Sequence, residues 1–382
     1  MPAGRQDRVE YFELFFDLVY VFTFIQITQV ITSDGSVRGI VHGTVVLMLV
    51  WWVWAAFTTL ANMGLPVTAR RDWRPLLFAV AMGLVLLMAL STPEAFWGDS
   101  KLFAFSYLGL ALLAMGGQFW VMRDDPSATR ALRRLWLVAM VLPVLVVITS
   151  YLEDETISVI LIGVGLVTAV IAPFAAGSGN LPISTHHLAE RYSLVMLITL
   201  GESIISLGQG ASKVALSPLV VACVLLTLAL VVILWRHYVV AVIGPGARAL
   251  RTLQEPQLTA MVRYGYTFAH FAMVWGIVII AVAIKSALVD LTTPLDDLLE
   301  AGLAAGTLVF LVATAAFAWL AGQRPRVISI VSLAALGILV VAGPQLPTAA
   351  LIVAVTLAAA VGIDPRGLGM RRQHEEQVSS PQ

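Results

Sequence analysis

The sequence predicts an all-α, polytopic transmembrane bundle of about twelve spans, and three observations lead there. Of the 382 residues, 59% are hydrophobic and only 12% charged, with a mean hydropathy of +0.90. A soluble chain of this length has no interior large enough for that much apolar surface. The apolar residues fall in runs of about 20, the number that crosses a bilayer as a helix. Basic residues recur in every second loop, the pattern of loops that share one side of a membrane.

The first span, 9–32, follows a short basic lead (Arg5, Arg8) and is interrupted by Glu13 and Asp17. No small-residue cleavage site follows it, so it is expected to stay as a span rather than leave as a signal. Spans at 40–62, 75–97, 102–122, 135–152 and 157–176 complete a first half, 9–176. The second half, 187–363, holds spans at 191–211, 218–240, 258–287, 300–320, 327–343 and 347–363. The last two are short, and Gly343-Pro344 with Pro347 marks a tight turn between them. The polar stretch 364–382 is expected to be a disordered cytoplasmic tail. Cys223, the one cysteine, lies in a hydrophobic run and excludes a disulfide framework.

Charge sets the expected orientation. With the N-terminus inside, the cytoplasmic loops hold Arg70, Arg71 and Arg74; Arg123, Arg130, Arg133 and Arg134; Arg248 and Arg251; Arg324 and Arg326. The tail adds Arg366, Arg371 and Arg372. The outer loops carry acid instead, as in Glu153-Asp154-Glu155 and Asp290, Asp296 and Asp297, with Arg38, Lys101, Lys213 and Lys285 on or near that side. This favours twelve spans with both termini cytoplasmic over eleven, in which the last two runs fuse.

The halves resemble each other. Spans one and seven both begin with acid beside an aromatic (Glu10-Tyr11, Glu190-Arg191-Tyr192) and bury an acid deeper. The spans after them carry Trp52 and Trp235, and each is followed by arginines and a proline, Pro75 and Pro256. The offsets cluster near 183, which predicts a 6+6 parallel internal repeat with Asp17 and Glu202 at equivalent places.

The polar residues inside the spans are the candidate site. Charged groups at membrane depth are costly and usually face a bundle interior or a watery cavity. Glu10, Glu13, Asp17, Tyr20, Phe24 and Thr28 share one helical face, with Glu13 and Asp17 one turn apart. A proton shared or taken up there is one expectation, and plain ion pairing to arginine is the other. Thr199, Glu202, Ser206 and Gln209 form a stripe on the seventh span, placing Glu202 near the bilayer centre. Ahead of it, His187 and Glu190 have the i,i+3 spacing of two metal ligands, but no second ligand pair accompanies them, so no metal is predicted. Glu190 and Arg191 are expected to cap or pair at the start of that helix. On the ninth span Arg263 and His270 share a face. Arg263 is the expected partner of a buried carboxylate, unless it snorkels to the surface. His270 is either a proton relay or a neutral histidine with its hydrogen bonds met. Trp51, Thr58 and Asn62 share a stripe that can line a cavity, although core packing is the favoured role of the tryptophans. Glu13, Asp17 and Glu202 are expected to form the core of one shared site.

The motifs Glu13-Leu-Phe-Phe-Asp17-Leu-Val-Tyr-Val-Phe, Trp51-Trp-Val-Trp54 with Ala61-Asn62, His187-Leu-Ala-Glu190-Arg191-Tyr and Leu200-Gly-Glu202-Ser, in that order, resemble the bacterial low temperature requirement A family. The resemblance runs from about residue 8 to 364. It implies a multi-span protein of the bacterial cytoplasmic membrane, in a family named for a growth requirement in the cold, and it brings no biochemical activity with it.

The leading functional expectation is a secondary transporter or permease whose buried carboxylates carry protons or ions. No nucleotide-binding loop is present, which argues against ATP-driven transport by this chain alone. The alternatives are an intramembrane enzyme for a lipid or other apolar substrate, using carboxylates with His187 or His270, and a non-catalytic scaffold for membrane adaptation. The expected partners are the lipid bilayer, a small solute or ion and protons, with no nucleic acid and no cofactor.

Overall fold

The computed structural model describes residues 11–63, 73–95, 100–175, 185–254, 256–288, 291–293, 297–324 and 327–362. Among them every long element is a helix. In order they are α1 (Tyr11–Asp34), α2 (Val37–Asn62), α3 (Arg74–Leu90), α4 (Lys101–Val121), α5 (Pro126–Ala139), α6 (Val141–Thr149), α7 (Glu155–Ala175), α8 (Thr185–Ala211), α9 (Pro218–Tyr238), α10 (Gly244–Thr252), α11 (Gln257–Ala260), α12 (His270–Ala287), α13 (Asp297–Leu320), α14 (Val327–Ala342) and α15 (Thr348–Val361). Two wider π-helical segments, Val239–Ile243 and Met261–Ala269, join α9 to α10 and α11 to α12.

Among the described residues, each of the twelve predicted stretches is largely helical. Among the described residues, nine helices are long and apolar enough to cross a membrane. Arg74–Leu90, Ser329–Gln345 and Thr348–Val361 are shorter apolar helices. The turn expected at Gly343-Pro344 is a 3-10 turn, Gly343–Gln345, with Pro347 capping α15. Glu10, Arg70, Arg71, Asp290, Asp296, Arg326, Arg366, Arg371, Arg372 and the whole 364–382 tail lie outside the described residues.

Local chemistry sets the helix ends. Ser36 caps α2 by accepting from the Gly39 amide, and Gly35 supplies the left-handed turn (φ 65°) that reverses the chain between α1 and α2. Asp125 caps α5 through the Ser127 and Ala128 amides, with Pro126 at the first helical position. Arg38 and Glu155, both assigned from charge to one side of the membrane, meet in an ion pair, and Glu155 also reaches His42 Nε2 at 3.1 Å.

α1 lies against α2, α3, α8 and α12, so it is shared between the two sequence halves. α12 is the most enclosed of the long helices and packs against α13 and α8. Its crossing with α13 is set by glycine. A Cβ on Gly276 would lie 2.7 Å from the Gly306 carbonyl oxygen, and one on Gly306 would lie 2.6 Å from that of Gly276. Only hydrogen fits there, so the backbones touch.

Candidate functional site

α1 and α8 run side by side in the same direction. The contacts Glu13–His187, Asp17–Arg191 and Thr28–Glu202 all join residues 174 apart, so the two helices keep one register over four turns. Parallel packing in register carries Glu13, Asp17 and Thr28 of the α1 stripe each to a partner on α8.

At one end of this seam sits a buried charged cluster. Glu13 and Asp17 follow each other by one turn on α1, as do His187 and Arg191 on α8, and the two pairs face each other. His187 Nε2 lies 2.8 Å from Glu13 Oε2, and His187 Nδ1 lies 3.1 Å from Asn62 Oδ1 on α2. Arg191 Nη2 donates to Asp17 Oδ1 at 2.7 Å, while Nη1 lies 3.5 Å from Glu13 Oε2. Asp17 Oδ1 also accepts from Trp54 Nε1 at 2.9 Å. Asn62 is itself held by donating to the Thr58 carbonyl at 2.7 Å. Asp17 and Glu13 are 1% exposed and Arg191 is 0% exposed. Bare ions at that depth would cost several kcal/mol each, by order of magnitude, so pairing is what makes their burial tolerable.

The cluster is not fully satisfied. Asp17 Oδ2, Tyr20 Oη, Thr58 Oγ1 and Arg191 Nε are buried with no hydrogen-bond partner. A spare carboxylate oxygen and a spare guanidinium N–H thus give the cluster one acceptor and one donor that no protein group meets.

Glu202 belongs to a second layer. It is eleven residues beyond Arg191 on the same helix, about 16 Å at 1.5 Å per residue. Its Oε1 accepts from Ser206 Oγ at 3.1 Å and from Thr28 Oγ1 at 3.4 Å, whereas Oε2 has no partner. Lys285 on α12 acts on it electrostatically without reaching ion-pair distance.

Several expectations are corrected by this arrangement. Glu13, Asp17 and Glu202 do not share one site; they occupy two levels of one seam. The common register sets Asp17 level with Arg191 and Thr28 level with Glu202, so Asp17 and Glu202 differ in depth and cannot be equivalents about an axis along the membrane normal. Arg263 is not the carboxylates' partner. Its Nη2 donates to the Pro173 carbonyl at 3.1 Å and its guanidinium lies 4.1 Å from the Phe174 ring centroid, at the end of α7. Arg191 takes the role instead, having turned inward; Glu190 is half-buried in the same turn. His187 has both ring nitrogens engaged, by Glu13 and Asn62, the geometry of a hydrogen-bond bridge between α1 and α2.

His270 stands apart from the charged cluster. Its Nδ1 donates to the Gly265 carbonyl at 2.9 Å, which leaves Nε2 to accept from the Tyr238 hydroxyl at 3.1 Å. The rings of Tyr192, Tyr238, Tyr266 and Phe317 enclose it at 5.0 to 5.7 Å between centroids. Both of its ring nitrogens are thus met by protein groups. Tyr238 directly precedes one π-helical segment and His270 directly follows the other, so this one hydrogen bond links the two irregular stretches.

Trp54 is the residue the motif reading undervalued. Its ring packs on Tyr192 (4.9 Å) and Trp51 (5.0 Å), yet its N–H serves Asp17. The signal is present in the i,i+4 ladder Trp54, Thr58, Asn62, which puts three polar groups on one face of α2.

The pattern of these residues matches a known family. A family model described as bacterial low temperature requirement A protein matches residues 8–363. The chain belongs to this family. An uncharacterized protein of Rhizobium meliloti (strain 1021) is 30% identical to it over 292 residues, 72% of this chain and 69% of the relative. No solved structure matches the chain. Family membership and the apolar helices together make this low temperature requirement A member an integral, multi-pass membrane protein.

Proposed function

We propose that this protein is a secondary transporter whose coupling site is the Glu13–Asp17–His187–Arg191 cluster, with Glu202 as a second carboxylate further along the same seam. The observation that carries the reading is the buried Arg191–Asp17 pair with unpartnered polar atoms on both residues. A well-packed apolar substitute for a buried ion pair is often as stable or more so, and ionisable groups at membrane depth typically serve ion or proton pathways.

The chemistry follows from the contacts. A proton arriving on Asp17 cancels the charge that holds Arg191, and a solute with its own donor and acceptor can take the vacated positions. Either event weakens the contact between α1 and α8, which is the contact an alternating-access cycle has to remake. The same reading takes twelve crossings with both termini cytoplasmic, supported by the arginine-rich alternate loops, and two six-helix halves that start on the same side, supported by the parallel course of α1 and α8.

The test is flux in proteoliposomes with an internal pH-sensitive dye, driven by gradients of a panel of inorganic ions, amines and carboxylates. Wild-type protein should move at least one of them with a pH change, and Asp17→Asn and Glu202→Gln should uncouple the two. Wild-type pH dependence in both variants would overturn the proposal.

A further inference from the structure

The bundle carries a lipid-shaped stripe on α5 and α6 that the transport reading does not use. α5 is strongly two-sided. Ala128, Leu132 and Trp136 are buried against the bundle, and Trp136 Nε1 donates to Gln118 Oε1 at 3.0 Å, which pins the helix in place. At 100° per residue, Arg130, Arg133, Arg134 and Leu137 fall together on the opposite face. The three arginines are exposed, and Leu137 is 70% exposed. Val141, Val144 and Ile148 of α6 continue the same angular stripe and are also exposed. Along one line the surface is therefore cationic for about one turn and apolar for the next three.

That sequence of surfaces matches one ligand chemistry. A free anion would use the arginines and leave the apolar part idle; an uncharged lipid would use the apolar part and leave the arginines idle. We infer that this stripe binds an anionic phospholipid, with its phosphate at Arg130, Arg133 and Arg134 and an acyl chain along Leu137, Val141, Val144 and Ile148. Arg123 stands at the same end of the bundle, its guanidinium 4.1 Å from the Trp120 ring centroid, with Trp120 packed on Trp73 at 4.9 Å. Tryptophan beside arginine is the residue pair of a headgroup level. Among the described residues, Asp124 and Asp125 are the acids next to these arginines in the chain. Asp124 lies 3.8 Å from Arg123, and Asp125 is turned onto the α5 amides, so neither is placed on the three arginines.

Native mass spectrometry and thermal melts of the full chain in detergent, titrated with phosphatidylglycerol, phosphatidylcholine or glycerol 3-phosphate, test this. Phosphatidylglycerol should be retained as discrete adducts and raise Tm, with glycerol 3-phosphate and phosphatidylcholine much weaker. The triple variant Arg130→Gln, Arg133→Gln, Arg134→Gln should lose about a hundredfold in apparent affinity, three contacts of about fivefold each. Leu137→Asn with Val141→Asn should weaken phosphatidylglycerol without changing the response to glycerol 3-phosphate. Arg248→Gln with Arg251→Gln, on the other basic helix, should keep wild-type binding. Equal retention of phosphatidylcholine and phosphatidylglycerol, or equal loss from the two sets of arginine variants, would overturn the site.

Discussion

Arg191 and Asp17, 174 residues apart in the chain, meet in a salt bridge of 2.7 Å with neither side chain open to solvent. The bridge ties α1 to α8. Its strength depends on completeness, because a buried carboxylate stripped of its cation is costlier than no carboxylate at all.

Arg191→Met should therefore destabilise the protein by about 3–5 kcal/mol, read as a lower melting temperature in detergent. Arg191→Lys should recover only part of the loss, since an ammonium cannot address both Asp17 and Glu13 with a planar fork. Adding Asp17→Asn and Glu13→Gln to Arg191→Met should restore stability while leaving transport absent. A triple variant no more stable than Arg191→Met alone would show that the charges do not act as one unit.

Trp54→Phe keeps most of the ring packing on Tyr192 and Trp51 but deletes the N–H that serves Asp17. The expected cost is about 1.5–3 kcal/mol, the range for a hydrogen bond to a charged group. A melt unchanged from wild type would mean that Arg191 alone satisfies that oxygen.

Much of this was legible in the residues. The helical stretches follow from apolar run length and the site from acids at membrane depth, because both signals are carried by single segments. The partner of Asp17 was not legible. Arg191 and Arg263 are each an arginine a few residues into a span, and choosing between them requires knowing which helices touch. Glu202 was misplaced for a related reason: spacing along the chain suggests a repeat, but depth depends on the register between α1 and α8. Trp54 was read as packing because a tryptophan that packs and one that also donates look the same in sequence.

Gly276→Val should fail at the crossing of α12 with α13, where the new side chain meets the Gly306 carbonyl oxygen. Separating the backbones should cost about 1–3 kcal/mol or more, visible as reduced folded yield. Gly337→Ala, where a Cβ meets nothing within 4 Å, is the control and should be neutral.

Asp125 gives a pH prediction outside the spans. The Ser127 hydroxyl, helped by the Ala128 and Ser127 amides, holds its carboxyl below the usual carboxylate range. A lowered folded pKa means that its stabilisation of α5 is complete at neutral pH and disappears as pH falls through that lowered value. Protection of the first α5 amides, measured by hydrogen exchange, should drop below about pH 4 in wild type and show no such step in Asp125→Asn. The same step in the variant would assign the titration to another group.

The seam between α1 and α8 has a mechanical consequence. Two acids four residues apart face two bases four residues apart, which makes the contact a pair of matched teeth. If α1 slides by four residues, about 6 Å, only one tooth of each helix still meets a partner: Glu13 on Arg191 in one direction, Asp17 on His187 in the other. Intermediate displacements leave one acid between the two bases and carry the other past them. Charge pairing alone therefore favours the observed register over either one-turn slip, and Arg191, 3.5 Å from Glu13 as well as bonded to Asp17, spans both acids in it.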